Sequence, residues 1–111
     1  MDEAHPREDT LQSFERGQNI RDRASEFASR VVRFCDHVQK NGGVGRLMVP
    51  QLVNCATSVA GMLEEARAAE SRRDFVSKCS IALKECREAR GRLRIAESCA
   101  IRMPKPNPEN V

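Results

Sequence analysis

Residues 48–100 read MVPQLVNCATSVAGMLEEARAAESRRDFVSKCSIALKECREARGRLRIAESCA, and two apolar stripes of helical period run through them. Met48, Leu52, Cys55, Val59, Met62, Ala66 and Ala69 follow one another at alternating steps of four and three. Beyond Ser71 the rhythm restarts with Phe75, Cys79, Ala82, Cys86, Ala89, Leu93, Ala96 and Ala100. Such steps keep side chains on one side of a helix with 3.6 residues per turn. The stretch therefore predicts two amphipathic helices closing as an antiparallel pair. Between them, Ser71-Arg72-Arg73-Asp74 has the form of a capping box, in which the serine hydroxyl accepts from the Asp74 amide and the carboxylate answers.

Working toward the N-terminus, Ile20, Ala24, Phe27, Val31, Phe34 and Val38 repeat the pattern and predict a helix over about 20–39. Asn41-Gly42-Gly43 stops it, since glycine adopts the left-handed cap conformation at low cost. Pro50 is comfortable only in a first turn, so the next helix begins between Gly45 and Pro50, either near Val49 or with a kinked first turn. In its middle, Ala56, Thr57, Ser58, Ala60 and Gly61 are slim enough to let a neighbouring backbone come close, which places Ser58 and Gly61 at a helix-packing seam. Residues 1–19 form an acidic lead-in interrupted by Pro6 and Gly17, with one short amphipathic turn around Leu11 and Phe14. Residues 20–101 form the helical domain. Residues 102–111 carry Pro104, Pro106 and Pro108 at alternate positions and form an extended tail.

The 111 residues are 40% hydrophobic and 32% charged, a mix that suits amphipathic helices in one domain and is too apolar for a disordered chain. With four Phe and neither Trp nor Tyr, the core is built from Val, Leu, Ile, Met, Ala and Cys. A core of small side chains in so short a chain is marginal, which favours self-association. The net charge of +3 is unevenly spread. Residues 1–19 hold two Arg against five acids, and the remainder holds 17 basic against 11 acidic residues. A basic body behind an acidic lead-in fits an anionic partner such as nucleic acid; the alternative is ordinary solubilising charge. No apolar run reaches the length of a membrane span, and five Cys without a CxxC pair or secretory segment point to reduced thiols in the cytoplasm.

The catalytic and metal-binding patterns fail on spacing. Gly42-Gly43-Val44-Gly45 lacks the Lys-Ser/Thr of a phosphate loop and reads as an inter-helix turn. Glu64-Glu65 and Glu85/Glu88 lack the Glu-x-x-His partners of a di-metal bundle, and His5 and His37 complete no zinc set. Cys79 and Cys86, one heptad apart, read as packing residues. No enzyme, cofactor or metal is expected. The candidate binding feature is the basic patch of Lys84, Arg87, Arg90, Arg92 and Arg94. Guanidinium forks suit phosphate oxygens, and without interleaved aromatics any contact would be to the nucleic-acid backbone. The competing reading is a solvated face held by i, i+4 pairs such as Lys84 to Glu88 and Glu88 to Arg92.

The run Ala56-Thr57-Ser58-Val59-Ala60, then Glu65-Ala66, Ala69-Glu70-Ser71, Asp74-Phe75, Lys78, Ile81-Ala82-Leu83-Lys84-Glu85 and Leu93, resembles the bacterial four-helix bundle proteins encoded by intervening sequences of large-subunit ribosomal RNA genes. These are related to the accessory variability determinant of diversity-generating retroelements. The likeness covers about residues 20–100. It implies an all-α, antiparallel up-and-down bundle of four-helix-bundle type that assembles as a homo-oligomeric ring, usually a pentamer, with no catalytic site. For the retroelement relative it implies binding to RNA or DNA and to a reverse transcriptase. Lys78 and Glu85 match charged positions of the family motif. They either pair across subunits at an oligomer seam or are plain surface, while Phe75, Cys79, Cys86 and Leu93 are expected at packing seams within or between subunits. Two positions depart from the family pattern. Proline follows Ala100 where the family has a fourth long helix, and Arg92 stands near a position that often carries an aromatic. The expectation is three long helices with one seam left open.

Overall fold

A computed structural model describes the backbone of residues 8–99 and the side chains of residues 16–99. Three helices account for most of it: α1 over Glu8–Asn41, α2 over Val49–Arg67 and α3 over Arg72–Ser98, with a 3-10 turn over Val44–Met48 leading into α2. No strand occurs among the described residues. Residues 1–7 and 100–111, the 102–111 tail among them, lie outside the described residues.

Helix α1 is longer than its stripe predicts. It begins at Glu8 rather than near Ile20, so residues 8–19 are its first turns and the rod measures about 51 Å. Gly17 does not break it. Glycine in a helix interior costs up to ~1 kcal/mol relative to alanine but keeps its amide donor. Nucleation is the costly step and propagation the cheap one, so a helix anchored by packing at 24–38 extends through a single weak position. At the other end the Asn41 side-chain amide Nδ2 donates to the His37 backbone carbonyl at 2.9 Å, and Gly42 (φ 72°) and Gly43 (φ 78°) take the left-handed conformation that turns the chain.

Helix α2 starts at Val49 with Pro50 in its first turn, where the missing amide has no helical partner to lose. Between α2 and α3 the chain turns over four residues. Ser71 caps α3 by accepting from the Asp74 amide at 3.0 Å, as the motif predicts. The Asp74 carboxylate reaches one residue further back than the cap and accepts from the Glu70 amide at 3.2 Å.

The extensive helix–helix contacts join α1 to α2 and α2 to α3, so α2 is the central rod. Gln51 meets Arg92, Cys55 meets Glu88 and Glu65 meets Lys78: partner numbers fall along α3 as they rise along α2. The core is built from small side chains. Ala28, Val31 and Cys35 of α1 pack with Leu52 and Ala56 of α2, and Phe27, Phe34, Met48 and Leu93 close around them. Among the described residues Leu52 is the one large side chain that is fully buried.

The α3 stripe divides. Ala82, Ala89 and Ala96, spaced by heptads, are buried against α2. Phe75 is 48% exposed, Cys86 is exposed and Cys79 is half-buried. A seam flanked by one helix covers only part of an apolar face, so Phe75 and Cys86 are not packed away within the single chain. Gly61 meets no neighbouring helix within the chain: it is exposed, and a Cβ there would meet nothing within 4 Å. The close approach belongs to Ala56, which is wholly buried, while Ser58 is half-buried and Thr57 turns outward to bond the Val53 carbonyl at 2.7 Å.

Candidate interaction surfaces

A groove runs between α1 and α3. Ile20, Ala24 and Phe27 form one wall, Cys79, Ala82, Leu83 and Cys86 the other, and Val59 and Leu63 of α2 the floor. It encloses about 360 Å³, and its lining is apolar except for Arg23. Ile20 and Leu83 are each about half exposed at its rim. The groove exists because α1 and α3 both pack on α2 and leave the space between them unfilled. It gathers Cys79 and Cys86 with residues of α1 that the sequence placed only on a separate stripe. Leu93 lies elsewhere, against the core cluster beneath α1 and α2.

The basic patch is narrower than its sequence suggests. Lys84, Arg87, Arg90 and Arg94 are exposed, and among the described residues none of them makes an ion pair or side-chain hydrogen bond. The expected pair of Lys84 with Glu88 does not form. Arg92 turns the other way. Its guanidinium donates to the Gln51 side-chain Oε1 at 3.2 Å and to Cys55 Sγ at 3.0 Å, and it lies 3.6 Å from the Glu88 carboxylate. Committed to the α2–α3 seam, Arg92 is not part of the free basic surface.

Around it, Cys55 donates to Glu88 at 3.7 Å, and the donor atoms of Cys55, Glu85 and Glu88 all lie within 4.8 Å of one another. One sulfur and two carboxylates match what a zinc-like ion accepts. Burial, aided by Glu85 and Glu88, pushes the Cys55 thiol up against the opposing pull of Arg92, so the sulfur stays protonated and the guanidinium offsets the carboxylate charge. The cluster acts as a polar clasp between α2 and α3. Periodicity places Cys55 and Glu85 on their helices but carries no signal of the 33 to 37 residue separations that this clasp spans.

Lys78 is half-buried and answers Asp74 at 3.3 Å along α3 and Glu65 at 3.7 Å on α2. Glu85 is half-buried beside Cys55. Both charged positions of the family motif thus sit at the α2–α3 seam. Cys35 is buried, which raises its thiol pKa, and Cys99 is exposed near the end of α3.

A family model described as 23S rRNA-intervening sequence protein matches residues 16–105, spanning most of α1 and all of α2 and α3. The chain belongs to that family. The match contains both the groove and the basic row, so these surfaces lie in the family's shared region. No match was found among curated proteins or among solved structures. Among the described residues no helix is long and apolar enough to cross a membrane.

Proposed function

We propose that this chain is a non-enzymatic interaction protein: an antiparallel up-and-down bundle that associates with copies of itself and presents a basic row of α3 to nucleic acid. The α2–α3 turn of four residues and the opposed contact numbering support the antiparallel arrangement. The observation that carries self-association is the open α1–α3 groove. Exposed apolar walls in a chain with a small alanine-rich core are a standing cost that a second copy removes, each fully covered leucine contributing about 1.5–3 kcal/mol. A ring of five, as the family resemblance implies, is the assembly proposed. Light scattering across a concentration series should give a mass that is a multiple of the monomer. Leu83→Glu should return it to one chain while far-UV circular dichroism keeps its helical shape. A wild-type monomer at high concentration refutes this part.

The nucleic-acid part rests on Lys84, Arg87, Arg90 and Arg94, four cations without protein partners among the described residues. Phosphate contacts release counterions, so binding of a labelled RNA should weaken steeply between about 50 and 200 mM salt. Arg87→Glu, Arg90→Glu and Arg94→Glu together should abolish it without unfolding the helices. The likeness to the accessory variability determinant suggests a reverse transcriptase as a protein partner. If RNA fails to bind even at low salt, the basic row serves solubility and the chain is a scaffold for protein partners.

A further inference from the structure

Where α2 hands over to α3, a second cavity of about 610 Å³ opens against the side of α1. Three arginines from three helices line it: Arg21 of α1, Arg67 at the end of α2 and Arg72 at the start of α3. Ala66, which is buried, and the half-buried Ala69 keep its surface slim, and Phe75 stands beside them. Phe75 is the one exposed aromatic among the described side chains.

The arginines are not equivalent. Arg21 is held in place: Gln18 accepts from it at 2.8 Å, Glu64 lies 3.9 Å away, and its side chain is only 15% exposed. Arg67 and Arg72 are exposed and make no ion pair among the described residues. The acids nearby are mostly engaged, Glu64 with Arg21 and both Asp74 and Glu65 with Lys78, which leaves Glu70 as the exposed carboxylate of the turn. The site therefore joins an accessible ring face to two free guanidinium groups and one anchored guanidinium.

That combination has a specific ligand chemistry. Arginine alone satisfies any phosphate or carboxylate, but a ring face beside arginines suits a flat nucleobase with phosphates on either side of it. In a duplex the bases are stacked on one another and their faces are closed, so only an unpaired base can meet Phe75. The position along α3 agrees. Arg90 follows Arg72 by eighteen residues, which is five full helical turns, so both stand on one side of the helix about 27 Å apart. Arg87 and Arg94 stand to one side of the same line, about 60° and 40° around the helix from it.

We propose that this cavity is a single-strand nucleic-acid subsite, in which Phe75 stacks on an unpaired base, Arg67 and Arg72 take the flanking phosphates, and the strand continues along α3 toward Arg90. The inference rests on the nucleic-acid reading above and deepens it by naming the form of nucleic acid preferred. It also returns Phe75, read from sequence as a packing residue, to solvent for a purpose.

The test uses the full chain and a short oligoribonucleotide carrying 2-aminopurine, alone and annealed to its complement. Wild-type protein should bind the single strand more tightly than the duplex and quench the 2-aminopurine as the ring stacks. Phe75→Leu keeps an apolar side chain of helical character. It should abolish the quenching and weaken single-strand binding about tenfold while leaving duplex binding unchanged. Arg67→Glu with Arg72→Glu should weaken single-strand binding and lower its salt slope by about 1.4. Unchanged affinity and quenching in Phe75→Leu, with binding still abolished by Arg87→Glu, Arg90→Glu and Arg94→Glu, overturns the subsite and spares the broader reading. Absence of binding by wild-type protein at low salt overturns both. Equal competition by polyglutamate in wild type and Phe75→Leu overturns the subsite in favour of an acidic peptide.

Discussion

Gly42 and Gly61 show how one residue type answers to two different constraints. Gly42 holds φ 72°, where a Cβ would crowd the backbone, whereas Gly61 lies inside α2 with open space on every side of its Cβ position. Gly42→Ala should destabilise the chain by about 1–2 kcal/mol and Gly61→Ala should stabilise it by up to about 1 kcal/mol, read as opposite shifts of the urea midpoint at constant slope. The thiols of Cys35 and Cys55 make a second pair of expectations. Both have pKa values raised above the ordinary 9.0, chiefly by burial. The folded state thus holds their protons longer than the unfolded chain does. Their contribution to stability is complete below pH 9.0 and is lost as pH rises through the raised folded values. Denaturation at pH 8 and pH 10 should show the fall, and Cys35→Ala should diminish it. A thiol reagent at pH 8 should modify exposed Cys86 and Cys99 before Cys35 or Cys55.

At the scale of elements, the boundaries marked by a local backbone requirement were the ones that could be read. Asn41-Gly42-Gly43, Pro50 and Ser71 each impose a local backbone requirement, and the helix boundaries fall where those requirements place them. The start of α1 escaped because Gly17 and the acidic composition argue for a break, while cooperativity extends the packed helix back to Glu8. The Ser71 hydroxyl satisfies the Asp74 amide, so Ser71→Ala should cost about 1 kcal/mol, and Ser71→Asp should restore most of it. On α3 the alanines hold the contact. Ala89 is wholly buried, and Ala89→Leu should overpack the α2 seam and cost about 1–3 kcal/mol in thermal or urea unfolding. The same enlargement at exposed Cys86 should be tolerated in the isolated chain, since its side chain meets the groove rather than α2.

For the whole molecule, the decisive feature is that two rods packed on α2 leave one flank uncovered among the described residues. If copies cover that flank, folding and association share free energy by mass action, and the melting temperature should rise with protein concentration. Differential scanning calorimetry over a hundredfold concentration range measures it, and Leu83→Glu should remove the dependence. The basic row and the cavity beside Phe75 lie on the same rod, so binding of a single strand and closure of the groove concern neighbouring surfaces of α3.

Periodicity, glycine and proline alone specified an all-helical chain, its three rods and most of their ends, because those properties depend on residues within a few positions of one another. The exposure of Lys84, Arg87, Arg90 and Arg94 was legible for the same reason. Three-dimensional packing decided what joins positions far apart: Arg92 drawn onto Cys55, Gly61 left open, Phe75 turned outward, and Arg21 brought beside Arg67 and Arg72. A stripe records that a helix has an oily side. How much of that side is covered depends on how many neighbours arrive, and here α3 has one close neighbour within the chain.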